Sequence, residues 1–309
     1  MRTPGPGTSA DAIPWKASWG STLKHLRFPF SFFLMPVFVF AVSQAVSIDW
    51  RHTVIAFVIL HVLIFPSSNG YNSYQDRDES SIGGLKHPPK VSRSLYYVSL
   101  LFDSTGVLLG LLISPLFSLF VLVFVLMSRA YSYRNVRLKK YPVIGFLTVF
   151  IFQGAFIYLA ASSAITSFSL GTFFTGRAVL CMAVASMFIG SMYPLTQIYQ
   201  HQSDKKDGVI TLSYKLGYLG TFVFSSILFA AGALLLFLVF TLRRQPFAFV
   251  VFLAAMLPVI IYLVRWTAKV RKDAIHASFE NTMTMIVLAS LCLNAYFGVM
   301  ILDNRWRWF

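Results

Sequence analysis

Pro66-Ser-Ser-Asn69-Gly-Tyr71-Asn72-Ser-Tyr-Gln-Asp76-Arg77-Asp78-Glu79 decides how this chain is read, because its chemistry returns at Pro194-Leu-Thr-Gln197-Ile-Tyr199-Gln200-His-Gln-Ser-Asp204-Lys205-Lys206-Asp207. With the prolines aligned, an amide follows at +3 (Asn69, Gln197), a tyrosine at +5 (Tyr71, Tyr199) and an amide at +6 (Asn72, Gln200). An acid stands at +10 (Asp76, Asp204), a base at +11 (Arg77, Lys205) and an acid at +13 (Glu79, Asp207). Seven matched positions are too many for coincidence. The copies lie 128 residues apart (194 − 66), too far for a solenoid unit but right for a duplicated membrane half.

Composition agrees. Of the 309 residues 57% are hydrophobic and 12% charged, with a mean hydropathy of +0.68. A soluble domain would carry about a quarter charged residues. The net charge of +15 sits between apolar runs, so topology, anionic lipid and an anionic substrate explain it, and nucleic acid does not. Cys181 and Cys292 lie in apolar runs with no metal or disulfide pattern.

Apolar runs at 28–47, 53–68, 95–113, 116–131, 143–164, 178–199, 219–242, 247–264 and 283–302 predict nine helical spans, an all-α polytopic bundle with a four-span pseudo-repeat. Residues 25–302 form that domain. Residues 1–24 are expected as a disordered or interfacial tail, with Trp15, Trp19 and Lys24 at the bilayer surface, and 303–309 as a short tail. Twenty of the 26 basic residues fall before the first run or toward the loops after the second, fourth, sixth and eighth. The other six are Arg51, Arg177, Arg243, Arg244, Arg305 and Arg307. That bias predicts a cytoplasmic N-terminus, an outside C-terminus and both motifs at the cytoplasmic face.

Asn72 and Asp76, like Gln200 and Asp204, are spaced to share one helix face. The second run is short, about 24 Å of helix at ~1.5 Å per residue, so a polar turn is expected after it at headgroup depth. Asp76, Asp78, Glu79, Asp204 and Asp207 are five of the eleven acids. Beside Arg77, Lys86, Arg137, Lys205 and Lys215 they suit Mg²⁺ and a diphosphate, since Mg²⁺ takes oxygen ligands from a few carboxylates and substrate phosphates. Positive-inside topology accounts for most of Arg77, Lys86, Lys90 and Arg93, and Lys139 and Lys140 are expected to face lipid headgroups. Asp103, ~12 Å into its span, is a catalytic candidate or a protonated bridge to a neighbouring helix. Gly83-Gly84 would give its loop the flexibility of a lid. His276 and Glu280 read as a surface pair.

The chain resembles the UbiA superfamily of intramembrane prenyltransferases over roughly 25–302. Asn72 and Asp76 match the first and fifth positions of that family's NDxxDxxxD motif. The run from Asp204 through Gly208, Thr211-Leu212 and Lys215 to Gly217 resembles its D-R-x-x-G-x-x-T-L-x-x-R-L-G stretch. Arg27-Phe-Pro29 and Tyr133-x-x-x-Arg137 resemble its Arg-x-Pro and YxxxK elements. Ser73, Ser80 and Gln200 stand where the family usually has Asp. The resemblance implies a Mg²⁺ site at Asn72, Asp76, Asp78, Glu79, Gln200 and Asp204, with Asp76 and Asp204 as catalytic residues, while Asp103 joins them as a catalytic candidate by its depth alone. It implies diphosphate contacts at Arg27, Arg137 and Lys215, to which the basic face beside the motifs adds Arg77, Lys86 and Lys205; Asn69, Tyr71, Tyr133 and Tyr199 are the expected substrate contacts. The expected activity is transfer of a polyprenyl group from its diphosphate to a hydrophobic acceptor. An intramembrane terpene cyclase and a non-catalytic lipid-binding homologue are the alternatives.

Overall fold

The computed structural model describes residues 15–166 and 175–306; residues 1–14 and 307–309 of the expected tails 1–24 and 303–309 lie outside them. Among the described residues nine helical columns follow one another: α1 (Ser18–Gln44), α2 (Trp50–Asp76), α3 (Arg93–Gly110), α4 (Pro115–Ser132), α5 (Pro142–Ile165), α6 (Gly176–Lys206), α7 (Leu212–Leu242), α8 (Pro246–Lys272) and α9 (Phe279–Trp306). Eight of these are long and apolar enough to cross a membrane. The ninth, α3, has the length at 18 residues but carries Asp103 and several hydroxyl side chains. The all-α, multi-pass reading of the sequence holds.

Local chemistry sets where the helices start. Asp49, Ser114 and Thr211 accept the first free N–H groups of α2, α4 and α7, and prolines open α4, α5 and α8, where a missing N–H costs nothing. At the amino end, helix Trp15–Leu26 buries Thr22 and His25 against the bundle, so much of the expected 1–24 tail is structured.

Pro66 is not the start of a turn. Helix α2 continues through it to Asp76, because residues Ile59–Ile64 form a widened π-helical turn that makes room for the proline ring. The matching Pro194 acts differently: there the helix tightens to 3₁₀ geometry over Pro194–Gln200 and resumes over His201–Lys206. The i, i+4 spacing therefore lies on one regular helix face only in the first copy. A second π-helical turn, Phe150–Ala155, opens α5, and the Ser186 hydroxyl accepts the Ala155 N–H there at 2.9 Å. That brings α6 close against Gly154, where any Cβ would collide with Ser186.

Helices α1, α2, α4, α5, α6 and α9 surround a central space, to which α3, α7 and α8 contribute no side chain. This division between inner and outer helices positions the site.

Candidate active site

The inner helices enclose a cavity of about 270 Å³ with two unlike ends. One is lined by Phe40, Phe65, Phe124, Phe152, Phe188, Leu293 and Phe297. At the other, Arg27, Asp76, Asp78, Arg137, Lys139, Asp204 and Asp207 converge with Asn69, Asn72, Tyr199 and Gln200. Both copies of the motif thus serve one site.

The charged end is built on the last turns of α2. The Ser132 hydroxyl donates to Asn72 Oδ1 at 2.9 Å. Asp76 accepts from Arg137 at 3.3 Å through one oxygen and pairs with Lys139 through the other. Arg137 also pairs with Asp207, tying the loop after α6 to the end of α2. Arg134 donates to the carbonyls of Gln75 and Asp76, completing the free end of that helix. Arg27 and Arg137 both have left-handed backbones (φ 48° and 47°), a conformation that costs a non-glycine residue roughly 1–2 kcal/mol and marks an over-determined site.

Arg27 is buried, yet its Nη1 and Nη2 donate only to the carbonyls of Gly83 and Asn69, both at 3.0 Å. Its Nε has no partner, and among the described residues it forms no ion pair with a carboxylate. The Tyr199 hydroxyl nearby is also buried and unpartnered. These orphan donors line the cavity, an arrangement that suits an anionic group.

Asp78 and Asp204 are the cavity carboxylates without an ion pair among the described residues. Burial, reinforced by the neighbouring Asp76 charge, pushes the Asp78 carboxyl up to about 6. The donors fit a hard divalent cation such as Mg²⁺, since every candidate offers oxygen. No three acidic, His or Cys side chains among the described residues cluster tightly enough to cage an ion alone. That suits an ion completed by substrate phosphates.

Several sequence candidates lie elsewhere. Asp103 is on the outer helix α3, paired with Arg129 of α4 and accepting from the Ser67 hydroxyl at 2.6 Å. It bridges helices and does not reach the cavity. Tyr71 points away from the cavity beneath Arg129, whose guanidinium carbon lies 3.8 Å from its ring centre. Lys215 is exposed on outer helix α7. Arg77 reverses the backbone after α2 (φ 54°) and projects outward with Glu79. Lys205 is exposed beside Tyr214, and Tyr133 is exposed at the end of α4. Lys86 pairs with Glu280, so Glu280 is not a partner of His276. Conversely, the reading that turned Lys139 to lipid headgroups is corrected: loop 133–141 folds back over the end of α2 and seats Lys139 on Asp76. Its position two residues after Arg137 was the available signal.

Comparison with known proteins places this geometry. No curated protein sequence matches significantly. A UbiA homolog from Archaeoglobus fulgidus bound to DMAPP and Mg²⁺ shares the fold with a TM-score of 0.65 at 18% identity, covering 91% of this chain and 99% of that one. A UbiA homolog from Aeropyrum pernix K1 superposes with a TM-score of 0.64 at 16% identity, over 89% of this chain and 98% of that one. A digeranylgeranylglyceryl phosphate synthase structure gives 0.58 at 16%, over 93% and 98%. The UbiA prenyltransferase family itself is matched by sequence across residues 32–288. On that match, which spans most of its length, this chain belongs to the UbiA prenyltransferase family.

Proposed function

We propose that the chain is a Mg²⁺-dependent intramembrane prenyltransferase moving a polyprenyl group from its diphosphate to a hydrophobic acceptor. One observation carries this reading: the cavity joins seven charged side chains at one end to an aromatic and aliphatic chamber at the other. A prenyl diphosphate has the same division within one molecule. The Archaeoglobus fulgidus homologs bound to DMAPP or GPP with Mg²⁺ support that substrate class and that ion.

Asp78 and Asp204 would hold Mg²⁺, with Asn72 as a neutral oxygen donor, and the bound ion would supply charge neutralisation at the departing diphosphate. Arg27 and Lys139 receive the diphosphate's negative charge, and the Tyr199 hydroxyl donates to it. Breakage of the allylic C–O bond leaves its electron pair on the diphosphate oxygen. The resulting allylic cation sits among phenylalanine rings, whose faces attract it and whose bulk excludes water. A π bond of the acceptor then supplies the electrons of the new C–C bond, and the released proton passes to a weak base such as the diphosphate. The distribution of basic residues orients the charged end toward the cytoplasm.

Incubating the purified protein with labelled farnesyl and geranylgeranyl diphosphates, with and without a membrane-lipid extract, tests this. Transfer requires the extract. Product without extract means cyclisation, and no diphosphate release with either means a lipid-binding homologue.

A further inference from the structure

Residues 77–92, between α2 and α3, cross the charged end of the cavity and bring Asp78, Ile82 and Gly83 to its lining. Ile82 and Leu85 exchange backbone hydrogen bonds of 2.9 and 2.8 Å across a tight turn, with Gly84 at φ +83°. The turn is seated on Phe30 of α1 without spare room: a Cβ on Gly83 would lie 2.7 Å from that ring. The far end of the segment is anchored to α1, where Ser21 Oγ donates to the Lys90 carbonyl at 2.6 Å and His25 Nε2 bonds the Pro89 carbonyl at 2.8 Å; three further polar ties hold the turn at residues 81–86. Arg27 Nη1 donates to the Gly83 carbonyl at 3.0 Å, Gln200 Nε2 donates to the Ser81 carbonyl at 3.1 Å, and Lys86 pairs with Glu280. The third is exposed on both sides and weak. The first belongs to a guanidinium that the substrate would also recruit. Of the three ties on the turn, only that from Gln200 is both sheltered and free of that competition.

The chemistry of that tie explains the residue. A carbonyl only accepts, so the amide nitrogen of Gln200 must face it. A carboxylate at position 200 has no hydrogen to give and would set negative charge against the carbonyl oxygen. The sequence pattern led us to expect a metal-binding group here. We propose instead that Gln200 is a positioning residue: its amide latches the turn at residues 81–86 across the cavity mouth and so sets where Asp78 and Ile82 stand. The functional consequence rests on the prenyl-diphosphate reading above, whereas the latch itself is a property of the fold.

Amide hydrogen exchange of the full chain in lipid nanodiscs, without substrate, tests the latch directly. The mutually bonded Ile82 and Leu85 amides are the probes. Gln200→Glu keeps the length and loses the donor; Gln200→Leu loses the donor without adding charge. Both should exchange roughly fivefold faster at these amides, the effect of one lost neutral hydrogen bond. Gly83→Ala, pushed off Phe30, should do the same and calibrates the assay. With geranyl diphosphate, the position-200 variants should raise KM more than they lower kcat. If Gly83→Ala accelerates exchange but Gln200→Leu does not, the latch is refuted. It is refuted equally if Gln200→Glu leaves exchange unchanged and lowers the half-saturating Mg²⁺ concentration, because Gln200 is then a ligand position. Accelerated exchange in both position-200 variants, in a protein that turns over no prenyl diphosphate, sustains the latch and removes the prenyl-transfer reading.

Discussion

Replacing Arg27 by Met removes the charge while keeping a side chain of similar reach. In the wild type this guanidinium is buried, has no carboxylate partner and leaves Nε unbonded. Its two carbonyl bonds contribute about 0.5–1.5 kcal/mol each, and deleting an unpaired buried charge offsets much of that loss. Folding stability should therefore shift by no more than about 1 kcal/mol. Binding is different. One or two charge-assisted bonds to a diphosphate are worth roughly 2–4 kcal/mol together, which at ~1.4 kcal/mol per decade is about 30- to 1,000-fold in affinity. Calorimetric titration with a non-ionising thiolodiphosphate analogue of geranyl diphosphate, at saturating Mg²⁺, reads this number, and thermal unfolding reads the stability. Arg27→Lys, which keeps the charge without the planar fork, should fall between the two. If the Met variant binds the analogue within threefold of wild type, Arg27 is a structural residue and the anion site lies elsewhere.

Asp204→Asn should abolish most turnover without lowering the unfolding temperature, because Asp204 has no ion pair to lose. Asp76→Asn should lower both, by about 3 kcal/mol in stability, since it strands the Lys139 cation and leaves Arg137 with Asp207 alone; equal stability of the two variants would contradict the pairing. Asp103→Asn leaves Arg129 buried against a neutral group, so thermal unfolding should drop while the thiolodiphosphate analogue still binds the folded fraction normally. For Asp78, a folded pKa of about 6 lies above the ordinary 3.8, so Mg²⁺ must displace a proton below pH 6. Half-saturating Mg²⁺ should rise up to tenfold per pH unit below 6 and stay flat above it, while the folding penalty of this buried carboxylate disappears as pH falls through 6 toward 4. A reporter after Phe309 should lie outside and one in loop 207–211 inside; both on one side would break the orientation.

Much of the architecture was legible because long apolar runs and the distribution of Lys and Arg carry their meaning without neighbours. The repeated motif found the charged end for the same reason: proline, amide and acid at fixed offsets survive as a pattern even where the backbone diverges. Which basic residues face inward was not legible. Arg27, Arg137 and Lys139 are compositionally the same as Arg77, Lys86, Lys205 and Lys215. What separates them is whether their helix belongs to the inner set, and where a left-handed residue turns the chain. Arg77 and Arg137 share that backbone state, but one reversal sends its side chain out and the other sends it onto Asp76. Asp103 was read by depth alone, and its partner Arg129, in the last turn of α4, appeared in sequence as one more cytoplasmic charge.

The balance at the charged end bears on how the site fills. Four carboxylates face three cations there, and two of those cations are already committed to Asp76 and Asp207. A diphosphate entering alone would bring more negative charge to a partly dry pocket whose net charge is already negative, where such charges repel strongly. A divalent ion entering alone would find oxygen donors too dispersed to complete its shell. Each therefore supplies what the other needs. On the proposed reading, linkage requires Mg²⁺ to raise diphosphate affinity by the same factor by which diphosphate raises Mg²⁺ affinity, so that substrate and metal would enter this cavity as one unit.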